Sequence, residues 1–118
     1  MGQLFYGNSS QPVIIPDRQL AHLKMIVTTK LRRNESFTLS WRHVDDSPGG
    51  RTTVWLQPSI PLQFVFDSAE GENLDSSILR DYAEQASSSA GLTLDLSADL
   101  QADLDRLSVL PSRAVQAA

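Results

Sequence analysis

The spacing of apolar residues changes at Asn34, and this change constrains the fold more than any other feature of the chain. Before Asn34, apolar residues recur every three to four positions, the period of an α-helix: Leu20, Leu23, Val27 and Leu31. After it, apolar and polar residues alternate, which is the period of a strand with one buried face. The sequence therefore predicts the α+β class, with helices packed on one face of a mainly antiparallel sheet.

A hairpin and a helix are predicted for the first third of the chain. Two runs rich in aromatic and β-branched residues, 3–6 and 13–15, flank a turn-forming stretch and indicate an N-terminal β-hairpin. Asp17 is predicted to be the N-cap of the amphipathic helix, because its carboxylate can accept from open N–H groups of the first turn. Asn34 is predicted to adopt the left-handed conformation that is common just after the end of a helix.

The alternating runs 37–42, 52–56 and 60–66 predict a three-stranded antiparallel meander. A second amphipathic helix is predicted over 75–88, and a short strand over 92–96. Together with the hairpin, these elements predict a sheet with the C-terminal helix packed on one of its faces.

The length of 118 residues indicates one domain. We assign that domain to residues 1–96 and treat residues 97–118 as an acidic C-terminal extension. In the extension, Leu100, Leu104 and Leu107 are spaced as on one face of a short helix, and the residues after it are predicted to form a mobile tail.

Several classes of protein are excluded by what the chain lacks. It has no cysteine, which excludes disulfides, cysteine-ligated zinc, iron–sulfur clusters and thiol nucleophiles. It has no apolar run long enough to span a bilayer and no secretory leader, so we expect a cytoplasmic protein without membrane contact. It has no phosphate-binding glycine loop, and His22 and His43 lack metal-ligand spacing. We therefore expect no cofactor, no bound metal and no catalytic residue.

The net charge of −4 conceals an asymmetry between the two halves of the chain. Residues 1–66 carry seven basic and four acidic groups, whereas residues 67–118 carry three basic and ten acidic groups. Three interpretations remain open: a face that binds nucleic acid, an acidic tail, or two faces of one molecule that complement each other.

The first helix is basic and, from Arg18 to Arg33, contains no acidic residue. Such a face can contact phosphates. Trp55 is predicted to lie on the face of its strand opposite Val54 and Leu56, where an outward ring can stack on an unpaired base. The candidate anion-binding or nucleic-acid-binding residues are Arg18, His22, Lys24, Lys30, Arg32, Arg33, Arg51 and Trp55. The alternatives are a second small core, a surface covered by the acidic part of the chain itself, and an ordinary charged surface.

Four segments of the sequence carry a resemblance to a known family: 20–24, 30–37, 40–41 and 50–62. The chain resembles, over roughly residues 1–95, a family of short actinobacterial proteins of uncharacterised function that also occur in the phages of those bacteria. Many members carry the automatic label "ATP-dependent DNA ligase". The resemblance implies no further activity, cofactor or site residue.

The residues of this chain do not support the ligase label. ATP-dependent ligases resemble one another in a K-x-D-G motif, whose lysine is the nucleophile that is adenylylated. Lys24 is followed by Met-Ile-Val and Lys30 by Leu-Arg-Arg, so neither lysine matches. The chain is also too short for an adenylylation domain together with a domain that clamps DNA.

Three hypotheses of function follow from the sequence. The first is a small non-enzymatic module that contacts an anionic partner, either nucleic acid or an acidic protein surface, through the basic helix. The second is an assembly protein that forms a homo-oligomer through sheet edges, with Phe5 and Tyr6 of the hairpin at one edge. The third, an enzyme, requires titratable side chains to converge on one site: His22, His43, Asp45, Asp46 and Arg51.

Overall fold

A computed structural model describes residues 1–43 and 50–96 of the chain and confirms the α+β class. The elements are, in order, β1 (Gly2–Tyr6), β2 (Val13–Ile15), α1 (Asp17–Arg32), β3 (Phe37–Arg42), β4 (Arg51–Leu56), β5 (Leu62–Val65), α2 (Ser76–Ser87) and β6 (Leu92–Leu94). The helix predicted after Ser97 and most of the loop between β3 and β4 lie outside the described residues. In the described part of the chain, no helix has both the length and the hydrophobicity needed to cross a membrane.

The described strands form two three-stranded sheets, in the orders β2-β1-β5 and β4-β3-β6. The N-terminal hairpin and the antiparallel pairing of β3 with β4 are confirmed. The prediction that β5 completes a meander is wrong, because β5 pairs antiparallel with β1 and places Leu4 opposite Phe64. An alternating pattern predicts which face of a strand is buried, but not which other strand pairs with it. The apolar face of β5 could therefore be buried in either sheet.

Strand β3 is the centre of the second sheet, since β4 lies on one side of it and β6 on the other. Strand β6 runs parallel to β3, with Leu92 level with Leu39 and Leu94 level with Trp41. Helix α2 provides the crossover that a parallel neighbour requires. All four of these side chains are buried, so the crossover completes the core on this side of the molecule.

Helix α1 buries the apolar stripe that the sequence predicts, with Leu20 and Leu23 fully inaccessible. The prediction that Asp17 is the N-cap is wrong, because Pro16 occupies that position and Asp17 is the first helical residue. The Asp17 carboxylate accepts instead from the backbone N–H groups of Asp67 and Ser68, at 3.1 and 3.2 Å. These amides follow β5, so Asp17 joins the start of α1 to the end of the first sheet.

Helix α1 ends as predicted, with Asn34 in the left-handed conformation at φ 61°. The Asn34 N–H donates to Leu31 O and the Glu35 N–H donates to Lys30 O, both at 3.0 Å. This pair of bonds is a Schellman motif, which satisfies carbonyls of the last helical turn. It also turns the chain directly into β3, so that Lys30, Arg33 and Glu35 cluster at one end of the molecule.

Candidate functional site

One face of the second sheet points away from the core, and its side chains form the surface that we call the outer sheet face. The alternation along the strands places on this face Thr38, Ser40 and Arg42 of β3, Arg51, Thr53 and Trp55 of β4, and Thr93 of β6. Trp55 keeps 53% of its surface exposed, as the sequence predicts for its side of the strand. Tryptophan is usually much more buried than this, so its exposure marks the face as a candidate for binding.

The outer sheet face has arginines at one end and an aromatic ring at the other. Arg42 and Arg51 are directly opposite each other across β3 and β4, and both are exposed. Like charges in that arrangement destabilise a sheet. Trp55 lies four residues from Arg51 along β4, a separation of roughly 13 Å between their backbones. Between them, the Ser40 and Thr53 hydroxyls are hydrogen-bonded at 2.7 Å.

The backbone of Trp55 is tied to the other sheet. The Tyr6 hydroxyl at the end of β1 donates to the Trp55 carbonyl oxygen at 2.6 Å. Because Tyr6 belongs to β1 and Trp55 to β4, this bond connects the β2-β1-β5 sheet to the β4-β3-β6 sheet. The strand that carries the exposed ring is therefore held on two sides.

Next to Trp55 lies a groove of about 690 Å³, which we call the C-terminal groove because α1 and α2 both end there. It is lined by the charged residues Lys30, Arg33 and Glu35 and by the exposed Trp55. Ile26, Phe37 and Ala83 contribute apolar surface to the groove. Its remaining lining is rich in hydroxyl groups, from Thr29, Ser36, Thr38, Ser87, Ser88 and Ser89.

The charges in the C-terminal groove partly cancel. The Lys30 ammonium lies 3.2 Å from a Glu35 carboxylate oxygen and donates to the Ser87 hydroxyl at 2.8 Å. Arg33, the residue at the end of α1, is exposed, and in the described residues it forms no ion pair. The groove therefore has one cation held by a carboxylate and a second one available to a ligand.

Four of the predicted site residues, including Trp55 itself, lie in the C-terminal groove or on the outer sheet face. Lys30 and Arg33 line the C-terminal groove together with Trp55. Arg51 lies on the outer sheet face in line with Trp55. The structure thus brings together the end of the basic helix and the arginine–tryptophan strand.

Three other predicted residues point elsewhere, so the basic helix does not present one continuous face. An Arg18 guanidinium nitrogen lies 3.9 Å from an Asp75 carboxylate oxygen. The Lys24 ammonium lies over the Phe66 ring, 5.7 Å from its centroid, beside a smaller groove on the far side of α1. Arg32 is exposed but lines neither groove.

The prediction that His22 contacts a partner is wrong, because its side chain is fully buried. Its Nδ1 lies 2.6 Å from the Arg18 carbonyl oxygen, and its Nε2 accepts from the Asp75 N–H at 2.9 Å. A carbonyl can only accept and an amide N–H can only donate, so His22 is neutral with its proton on Nδ1. Its ring forms an edge-to-face pair with the Tyr82 ring of α2, with 6.3 Å between the ring centroids. His22 therefore joins α1 to the start of α2.

Asp75 is the N-cap of α2, and its carboxylate accepts from both the side chain and the backbone of Ser77, at 2.6 and 2.8 Å. These hydrogen bonds, with a smaller contribution from the Arg18 charge, lower the pKa of Asp75 below its ordinary value of 3.8. A capping role accounts for this shift, so it does not mark a catalytic group.

Sequence reasoning missed Glu35 and the serines at the end of α2 as lining residues of the groove. The run Ser87-Ser88-Ser89 is visible in the sequence, but only the fold brings it against Trp55. Of the residues proposed for an enzyme, Asp45 and Asp46 lie outside the described part of the chain. Within that part, no three potential metal ligands of the His, Asp or Glu type form a group.

Comparisons with known proteins place the chain in a family but attach no activity to it. No curated protein and no solved structure matches it. The model of one family, DUF7882, described as a domain of unknown function, matches residues 1–97. That range agrees with the extent of the uncharacterised family that the sequence resembles, and it includes every element described above. The chain therefore belongs to the DUF7882 family of domains of unknown function.

Proposed function

We propose that this domain is a non-enzymatic module that binds single-stranded nucleic acid across its outer sheet face. One observation carries the proposal: a tryptophan that is 53% exposed shares a face with two exposed arginines and borders a groove lined by two more cations. The sequence-based hypothesis placed the anionic partner on the basic helix, whereas this proposal places it on the outer sheet face.

The exposed Trp55 ring favours a single strand over a duplex. Every base has a flat π-face, and stacking of an unpaired base on an aromatic side chain stabilises a complex by roughly 1–3 kcal/mol. Bases inside a duplex are already stacked on one another, so their faces are not accessible to a side chain. The hydrogen bond from Tyr6 to the Trp55 backbone holds the strand that would carry such a platform.

The pair Arg42 and Arg51 favours an anion near the other end of the same face. Two guanidinium groups on directly opposite residues repel each other, and a phosphate between them would remove that repulsion. Arg42 and Arg51 are the two basic residues among the described side chains of this face. The proposed phosphate contacts are therefore few, and the proposed affinity depends on Trp55 as well as on charge.

Fluorescence anisotropy with a labelled oligonucleotide tests this proposal. A strand of roughly 12 nucleotides, within the site sizes of small single-strand-binding folds, is titrated with the full chain at two salt concentrations. We expect tighter binding to the single strand than to the matching duplex. Trp55→Ala should weaken binding roughly 5- to 150-fold, the equivalent of losing one stacked base, and Trp55→Phe should weaken it less.

Arg51→Gln and Arg80→Gln form a matched pair of variants, because each removes one exposed arginine charge and only Arg51 lies on the outer sheet face. Arg51→Gln should lower the slope of log affinity against log salt by roughly 0.7, the value for one phosphate contact on a single strand. Arg80→Gln should leave the slope unchanged. Absence of binding at low salt, or equal slopes for both variants, would overturn the proposal. Light scattering in parallel tests the homo-oligomer hypothesis, but the prediction that Phe5 and Tyr6 offer a sheet edge is wrong, because β1 lies between β2 and β5.

A further inference from the structure

We infer that the C-terminal groove is a base-reading pocket, which receives one nucleobase through its exocyclic amino group and so favours cytosine over thymine. The inference rests on the proposed function and specifies which part of the strand enters which part of the site. It assigns the phosphates to the outer sheet face and a base to the groove.

The groove has the size and the walls that a base requires. Its volume of about 690 Å³ falls within the usual range for pockets that hold small organic ligands. Trp55 forms one wall, and Ile26 and Phe37 give apolar surface for a flat ring. A base stacked on the groove side of Trp55 would therefore have its polar edge among the hydroxyl and charged groups at the helix ends.

The C-terminal ends of two helices form part of the wall of the groove. Helix α1 ends at Arg32 and α2 ends at Ser87, and residues of both last turns line the groove. The C-terminal end of a helix carries partial negative charge. Such a wall opposes a phosphate and favours a ligand group that donates hydrogen bonds, as an amino group does.

Glu35 provides a charged acceptor in this groove. One of its carboxylate oxygens pairs with Lys30 at 3.2 Å, and its side chain is 47% exposed. A carboxylate has two oxygens and about four lone-pair positions, so it can accept from a ligand while it holds Lys30. Carboxylates accept from the N4 amino group of cytosine, whereas thymine presents the oxygen O4 at the same position.

Arg33 provides the complementary donor. It lies at the end of α1, lines the groove and forms no ion pair in the described residues. The donor from Arg33 and the acceptor from Glu35 match the mixed donor and acceptor edge of cytosine. Thymine would place its O4 oxygen against the Glu35 carboxylate. The repulsion between these oxygens is the proposed reason why cytosine binds more tightly than thymine.

Anisotropy titrations with oligo-dC and oligo-dT of equal length test the inference, because the two strands share backbone charge and differ at the pyrimidine edge. We expect the full chain to bind oligo-dC at least about 5-fold more tightly, the lower limit for one well-made base contact. Glu35→Gln should bring that ratio close to one, because an amide presents a donor as well as an acceptor. Glu35→Gln should not weaken binding to oligo-dT, because it removes the carboxylate that pairs with Lys30.

Arg33→Gln and Arg32→Gln serve as the matched pair, because they remove neighbouring charges and only Arg33 lines the groove. Arg33→Gln should reduce the ratio of the two affinities, and Arg32→Gln should preserve it. Equal binding of the two strands by the full chain, or a ratio unchanged in Glu35→Gln, would overturn the base-reading pocket while leaving the proposed function standing. Absence of binding to both strands would overturn both proposals.

Discussion

Gly91 is a position at which a single added methyl group should strongly destabilise this fold. It lies just before β6 with φ +80°, and a Cβ atom added there would overlap the Thr38 hydroxyl and lie 2.6 Å from the Thr38 carbonyl oxygen. The carbonyl belongs to the backbone of β3, so rotation of a side chain cannot relieve the contact. Gly91→Ala therefore requires β6 to move away from the central strand.

Gly91→Ala should lower the free energy of unfolding for two reasons. An alanine in the left-handed region costs roughly 1–2 kcal/mol relative to glycine. Forcing extra volume into a packed site costs typically 1–3 kcal/mol more, because Leu92 and Leu94 would leave their buried positions. Gly91→Ala should thus lower the free energy of unfolding by roughly 2–5 kcal/mol, a large fraction of the roughly 5–14 kcal/mol expected for a domain of this size.

Gly7→Ala is the matched control, since Gly7 also has a positive φ, of 63°, but nothing lies within 4 Å of its added Cβ. Urea denaturation followed by far-ultraviolet circular dichroism measures both variants. Gly7→Ala should cost about 1 kcal/mol, and the excess for Gly91→Ala is the contribution of the contact with Thr38. The same excess should appear as a further fall in Tm of at least roughly 4 °C.

A third variant separates the side-chain contact from the backbone contact. Adding Thr38→Ala to Gly91→Ala removes the hydroxyl but leaves the carbonyl oxygen at 2.6 Å, so it should restore only part of the lost stability. The reasoning is refuted if Gly91→Ala and Gly7→Ala lose equal stability.

Three further changes test the helix boundaries. His22→Leu should cost roughly 1–3 kcal/mol, because it leaves the Asp75 N–H and the Arg18 carbonyl without their buried partner; His22→Gln, which keeps an acceptor, should cost less in the same urea titration. The lowered pKa of Asp75 means that its contribution to stability is present above about pH 4 and is lost as the pH falls through the folded-state value. Asp75→Asn, which still caps the helix through its side-chain oxygen, should therefore show a shallower loss of stability below pH 4, and an unchanged acid profile would contradict this. Asn34→Ala should lose about 1 kcal/mol because of its positive φ, whereas Asn34→Gly should lose none, and equal costs would contradict that explanation.

Local patterns were sufficient to predict the elements and the pairing of strands adjacent in sequence, β1 with β2 and β3 with β4, but not the pairing of distant strands. The helical stripe, the left-handed Asn34 and the alternation along β3 all depend on interactions within a few residues. The pairing of β5 with β1 depends instead on two segments separated by most of the domain. Leu62 and Phe64 show the same alternation whichever strand they join, so no local pattern could predict the division into two sheets.

The same distinction applies to the candidate site. The exposure of Trp55 was predictable, since it depends only on alternation within β4. The burial of His22 was not, because its partner Asp75 lies more than 50 residues further along the chain. Nor could the sequence indicate that Lys30 is held by Glu35 and Ser87, whereas Arg33 remains available to a ligand.

The parallel pairing of β6 with β3 has a consequence for the synthesis of the protein. Strand β3 carries buried Phe37, Leu39 and Trp41, but Leu39 and Trp41 meet their neighbours Leu92 and Leu94 only when β6 has been made. At usual rates of translation, the ribosome needs roughly 3 to 10 s to add the intervening residues. During that interval the nascent chain exposes one edge and the apolar face of its central strand, the kind of surface that chaperones bind and that aggregates. The domain therefore cannot complete its core while it is being made, and must do so after β6 has left the ribosome.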